Sequence, residues 1–416
     1  MKLKLLIFIS VLLSATYISA SETYNTSNQL NVNFQLRPRA EYRNGYKYPL
    51  TESEKSAGFI NQRARLSMDY VRDGLSAGLS IQNISVWGDS PLANNKSNTV
   101  INEAWAQLKN EKGLYAKFGR QKLNYDDGRL LSDADWNQTG RYHDALKFGY
   151  QTAVNQLDFA LVYNQDGEKN SGGSYYIGNG VTYKTLQTFY YQSSGLTNFI
   201  PSFIFINAGS EEGNSSTGES KLANMQTFGT NLVYKPTDDV HLYGIAYYQT
   251  GRRATINENI SAYFLSFKTE FDIIKQFQII GGTDYLSGED YNSLNPNGTY
   301  NAFNILYGGC HGFYGTIDYF YSSSYRDNMN LGLWDDYLGF SYKWASKYSL
   351  NTTYHNFFIA SDVYNTANEK LKKGLGSEID LHFNYSIMKD VKLSCGYSTF
   401  FGTQTLDYVK GGDYKV

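Results

Sequence analysis

Proline is scarce in this chain, with six in 416 residues. Each proline removes a ladder donor, so its scarcity leaves long stretches free to run as uninterrupted strands. Cysteine is scarcer still: Cys310 and Cys395 stand alone, far apart and without CxxC spacing. That excludes a disulfide scaffold and a thiolate metal site, and leaves a single disulfide open. No sign of charge dominates, the formal net charge being −2, which excludes a generally basic nucleic-acid binder. Long apolar runs are missing after the first twenty residues. With a mean hydropathy of −0.46, this is no bundle of transmembrane helices.

The one apolar run has the build of an export signal. Met1-Lys2-Leu3-Lys4 is basic, Leu5 to Leu13 is apolar, and Tyr17-Ile18-Ser19-Ala20 ends in a small-residue cleavage site before Ser21. The run is too short to cross a bilayer as a helix, so residues 1–20 are expected to be a signal peptide and 21–416 the mature protein.

What is abundant is aromatic: 16% of residues, with 38 tyrosines. Such content suits strands that face one another and lipid interfaces. Sorted by parity, residues 30–42 separate cleanly. Leu30, Val32, Phe34, Leu36, Pro38, Ala40 and Tyr42 are apolar, and Asn31, Asn33, Gln35, Arg37, Arg39, Glu41 and Arg43 are polar. The same alternation recurs in 60–70, 377–387 and 391–399. A period of two marks a strand with two chemically different faces.

Connections alternate in length as well. Short ones such as 71–74, 110–113, 235–239, 273–276, 344–347 and 388–390 are separated by long polar ones: 44–58, 88–99, 124–142, 165–180, 208–222, 287–332 and 360–373. Short turns at one end and long loops at the other are the pattern of an outer-membrane barrel. The expected fold is therefore all-β, a transmembrane antiparallel up-and-down β-barrel. About seventeen strands are countable, from 29–43 to 391–402. Bacterial barrels have even numbers, so about 18 are expected, with the final strand missing from this chain or one weak strand miscounted. Lipid claims the apolar face, and the other face lines a wet interior.

On that inner face antiparallel pairing brings Arg37 and Arg39 near Arg65 and Arg63. Like charges opposite each other are destabilising. Either Glu41 and Asp69 neutralise them, or the arginines, with Arg43, form a cationic lining that concentrates anions. Arginine suits carboxylates because its fork pairs with both oxygens. The stretch 287–332 is too long for a hairpin loop and carries "NAFNILYGGCHGFYGTIDYFY". Part of it is expected to plug the interior or cap its mouth; an exposed loop or extra hairpin is the other reading.

The segment 101–136, "INEAWAQLKNEKGLYAKFGRQKLNYDDGRLLSDADW", resembles the alginate export family of outer-membrane barrels around its FGRQ strand and the acidic, aromatic loop that follows. "LRPRA" at 36–40, "YHNFF" at 354–358, "GSEIDLHFNY" at 376–385 and "GGTDYLSGED" at 281–290 extend that similarity in order along the chain. The resemblance implies an 18-stranded porin-like channel that passes an anionic polysaccharide through an arginine-lined constriction. Carried over, Arg120, Gln121, Glu378 and Asp380 become wall or constriction residues. Parity adds Lys117 to the face of Gln121 and sets Arg120 outward, so Arg120 sits above the membrane or a bulge turns it inward.

Three functions remain: a passive channel for acidic poly- or oligosaccharides and other small anions, a general porin without preference, and an outer-membrane enzyme. The five histidines, His143, His241, His311, His355 and His382, come without GxSxG, HExxH or paired-carboxylate signatures, so no catalytic site, metal or other cofactor is expected. The expected surroundings are the Gram-negative outer membrane, its lipid and its lipopolysaccharide, and no nucleic acid. A barrel has no motor, so flow follows a gradient or a periplasmic scaffold partner.

Overall fold

The structure, a computed structural model, describes residues 10–15, 20–21, 28–89, 98–165, 167–168, 170, 183–213, 220–252, 258–290, 298–320 and 330–411. Parts of several long loops, and residues 412–416, lie outside these residues. Among the described residues, seventeen long strands follow one another through a single antiparallel sheet. They are β1 Gln29–Arg43, β2 Ala57–Arg72, β3 Leu75–Val86, β4 Thr99–Lys109, β5 Leu114–Gln121, β6 His143–Gln151, β7 Asn155–Tyr163, β8 Thr185–Ser193 and β9 Phe199–Gly213. After these come β10 Ser220–Thr237, β11 Val240–Arg252, β12 Asn259–Ile274, β13 Phe277–Leu286, β14 Leu333–Trp344, β15 Tyr348–Phe358, β16 Gly374–Met388 and β17 Val391–Gly402. A short helix, α1 Gln404–Lys410, is N-capped by the Thr403 side chain.

Each strand pairs with its neighbours in the chain, the up-and-down order of an outer-membrane barrel. β1 and β17 do not pair with each other. Between them lies a six-residue strand, Ser10–Ala15, antiparallel to both. These six residues fall within 1–20, the stretch expected to be absent from the mature protein. Facing edge strands with unpaired N–H and C=O groups accept an extended segment there.

Burial inverts the order of a soluble protein. On β1, Leu30, Phe34 and Tyr42 are exposed, whereas Arg37, Arg39 and Glu41 are buried. The same outward apolar row continues through Phe118, Phe159, Phe203, Leu265, Leu338 and Leu381. Only a solvent as apolar as these side chains favours that order, and in it every backbone polar group must be paired within the sheet. Connections are short at one end, as at Asp73–Gly74 and Lys389–Asp390, and long at the other.

The core lies inside the barrel, built largely from two long connections. From 122–142 come Leu123, Tyr125, Leu130 and Leu131; from 298–320 come Phe303, Ile305, Leu306, Tyr307, Tyr314, Ile317, Tyr319 and Phe320. They pack against inward wall residues such as Leu186, Ile204, Phe264 and Phe357. Cys310 and Cys395 are free thiols.

Candidate functional site

The inward arginines come from two adjacent strands in a definite register. Arg37 stands directly opposite Arg63, Gln35 opposite Arg65 and Arg39 opposite Asn61. Arg63 is completely buried. Two guanidiniums facing each other in that environment need a counter-charge. Of the two acids expected to supply it, only Glu41 is in reach, paired with Arg39 at 2.6 Å and Arg43 at 2.5 Å. Asp69 belongs instead to a lower cluster with Glu103 and Lys117.

The principal counter-charge is Asp135, from the connection 122–142. Its carboxylate accepts from Arg63 at 2.9 and 3.1 Å and from Arg65 at 3.0 Å, and lies 3.6 Å from Arg37. Burial works against its ionisation, but the Arg63 hydrogen bonds and the charges of Arg63, Arg65 and Arg37 outweigh it and hold the carboxyl below its ordinary value. Backbone oxygens complete the cradle. Arg37 donates to the carbonyls of Asp135, Trp136 and Asn137, and Arg39 to that of Trp136. The tip is bent by Ala134 at φ 45°, a conformation that costs an alanine on the order of 1 kcal/mol and that this docking offsets.

The two inner segments hold each other. The Tyr307 N–H donates to the Leu130 carbonyl at 2.9 Å, the Ser132 N–H to the Tyr307 carbonyl at 3.1 Å and the Gly309 N–H to the Gly128 carbonyl at 2.9 Å. Gly308 has no room for a side chain, since a Cβ would strike the Arg129 carbonyl. Arg129 itself pairs with Asp127 and with Asp284 of β13. Burial opposes its charge, and Asp284 and Asp127 outweigh that.

The second segment docks on a different part of the wall. Glu378 accepts from the Ile317 N–H at 2.8 Å, and Asp380 accepts from the Thr316 N–H at 3.3 Å and its hydroxyl at 2.5 Å. Gln249 exchanges a pair of bonds with the Asn304 backbone, at 2.6 and 2.7 Å. Where the segments meet, three planar groups stack: the Arg39 guanidinium 4.3 Å from the Trp136 ring, and the Trp136 ring 3.3 Å from that of His311. His311 is held by Asp318 at 3.0 Å, and Asp318 accepts from the Tyr46 hydroxyl at 2.8 Å.

The alginate export family's sequence profile matches residues 28–408. This chain belongs to the alginate export family. No curated protein sequence matches it. Solved structures share its architecture at low identity. Pseudomonas aeruginosa OccK11 (OpdR) is 9% identical with a TM-score of 0.51, covering 95% of this chain and 96% of that one. Acinetobacter baumannii OccAB4 is 11% identical at 0.50, covering 95% and 98%. The outer membrane channel DcaP of A. baumannii is 12% identical at 0.45, covering 91% and 100%. The protein is an outer-membrane β-barrel channel of a Gram-negative bacterium.

In this alginate export barrel the remaining positions separate into inner and outer. Gln121 faces inward, fully buried, donating to the Ala145 carbonyl at 3.0 Å. Lys117 lies 3.5 Å over the Trp105 ring. Arg43 covers the Tyr46 ring at 3.7 Å. Arg120, carried over as a pore-lining residue, is not one. It stands on the outward row beside exposed Phe118, forks onto Asp144 of β6 at 2.9 and 3.0 Å, and covers the Tyr142 ring. Neither flanking pairing is bulged there, and its place beside the long connection 122–142 keeps it near the outer rim.

Two interior cavities flank the docked segments. One, of about 300 Å³, is bordered by Arg65, Asp69, Glu103, Lys122, Asp133 and Asp135. The other, of about 420 Å³, runs beside the Trp136–His311 stack. Asp135 and Trp136 are the site residues that parity reasoning missed. Their only sequence signal was the acidic, aromatic character of "SDADWNQ".

Proposed function

We propose that this channel passes anionic solutes, foremost acidic poly- or oligosaccharides, unchanged and without catalysis, and that Arg37, Arg39, Arg63 and Arg65 select them. The observation that carries this reading is the convergence of Arg37, Arg63 and Arg65 on a single carboxylate, Asp135. Asp135 presents to the fork the two oxygens that a uronate would present. It sits on a connection rather than a strand, so a solute carboxylate that replaces it satisfies the same donors. The segments 122–142 and 298–320 then act as an internal gate, and Met1–Ala20 as the export signal that delivers the chain to the membrane, where lipid and lipopolysaccharide surround it.

A general porin without preference is the second reading. The cavity bordered by Asp69, Glu103, Asp133 and Asp135 favours it, because its lining carries four carboxylates and two cationic side chains, Arg65 and Lys122. Ion selectivity in planar bilayers separates the two. Under the first reading the reversal potential in a salt gradient is anionic, and simultaneous replacement of Arg37, Arg39, Arg63 and Arg65 by Ala abolishes that preference. A cation-selective wild-type pore overturns it.

A further inference from the structure

The cavity beside the Trp136–His311 stack has a chemistry the arginine cluster does not explain. Its volume, about 420 Å³, falls in the range of small-molecule sites, roughly 300–1,000 Å³. One side belongs to the inner segments, where Gly312 leaves open space and Phe313 offers a ring. The opposite side is the wall of β15, β16 and β17. On it Thr353 and His382 face inward, since their neighbours Tyr354 and Leu381 are exposed on the outer row. Both are half-buried, and neither side chain makes a hydrogen bond to a described residue. Polar groups withdrawn from bulk water normally find partners. Their neighbours do: His355 is bound by Asp335 at 3.0 Å, and Asn384 accepts from Ser394 at 2.7 Å. Arg39 stands at the rim, where the cavity adjoins the arginine cluster.

We propose that this cavity is a saccharide subsite. The hydroxyls of one pyranose ring bond to His382 and Thr353, the ring's apolar face lies toward Phe313, and its carboxylate reaches Arg39. The assignment rests on the acidic-saccharide reading above and adds to it where the ring, rather than the charge, is recognised. Of the charged groups on its border, Arg39 is paired by Glu41, and Asp380 already accepts from the Thr316 N–H and hydroxyl. The site therefore selects for hydroxyl pattern and leaves charge selection to the arginines.

Block of single-channel current by hexuronate oligomers tests it. Loss of two neutral hydrogen bonds, each worth about 1 kcal/mol, predicts that the His382→Ala, Thr353→Val double variant is blocked at least about tenfold more weakly than wild type. Heat-modifiable gel migration verifies that the variant is folded. A second measurement keeps His382 and Thr353 as they are: with Cys310→Ser and Cys395→Ser in place, a Ser394→Cys thiol in the cavity wall reacts more slowly with a methanethiosulfonate reagent when the oligomer is present. Equal block in wild type and double variant, or unprotected labelling, overturns the subsite while leaving the anion reading intact. Absence of any block of wild type by the oligomers overturns both.

Discussion

Asp135 binds Arg63 through both carboxylate oxygens, at 2.9 and 3.1 Å, from 72 residues further along the chain. The two come from different levels of structure, one from a wall strand and one from a connection folded inward. Their pairing couples the position of that connection to the charge of the wall.

Replacing Asp135 with Asn removes the negative charge and keeps the shape. Three guanidiniums then lose their shared counter-ion, and breaking such a pair costs on the order of 3–5 kcal/mol where it is buried; Asp135, with its side chain 40% exposed, belongs below that range. The expected outcome is a looser 122–142 segment and a shift of the reversal potential toward anions. An unchanged potential would show that the cluster is not on the ion path.

Acid should release the same contact late. A carboxyl held below its ordinary value of 3.8 contributes stability that is fully present above that value and lost as pH falls through the lowered one. The difference in proteolytic protection of 122–142 between wild type and Asp135→Asn is therefore constant from pH 8 to about 4.5 and shrinks only below about 3.8. A difference that disappears near pH 6 would contradict the assignment.

Glu378 separates an acceptor role from a charge role. Glu378→Gln keeps an oxygen for the Ile317 N–H, so 298–320 stays docked. Glu378→Ala leaves that buried donor unpaired, at about 1–3 kcal/mol, and opens the space beside Gly315, whose φ of 80° and tight approach to Glu378 fix the local path. Conductance noise and protease cleavage within 298–320 should rise in the Ala variant alone.

Arg120 provides a control on orientation. Near the membrane rim a charge on the lipid face costs about 0–1 kcal/mol. Arg120→Ala should therefore leave barrel stability within about 1 kcal/mol of wild type and the reversal potential unmoved. A selectivity change would place Arg120 on the ion path after all.

The strands were legible because their signal is local. Alternation over ten residues names both faces without knowledge of any neighbour. The same alternation set Arg120 outward, and the resemblance to FGRQ strands pulled it inward. The undisturbed register shows alternation to be the better guide there.

Pairing was less legible. Arg37 faces Arg63 and Arg39 faces Asn61, a register that the length and path of 44–56 settle and parity alone does not. Asp69 was a plausible neutraliser by face and the wrong one by height, since six residues along a strand is about 20 Å. Glu378 and Asp380 were readable as inward acids, but nothing nearby in the chain reveals that they hold the backbone of Thr316 and Ile317.

The sequence by itself determined which side chains meet lipid and which meet water, because a strand's geometry reverses direction at every residue and the bilayer tolerates only one of the two faces. Only the tertiary structure decided what the watery face touches. A barrel interior is wide enough for long connections to fold back into it, and where Asp135, Trp136 and Thr316 come to rest depends on contacts across the whole enclosure, which no local pattern encodes.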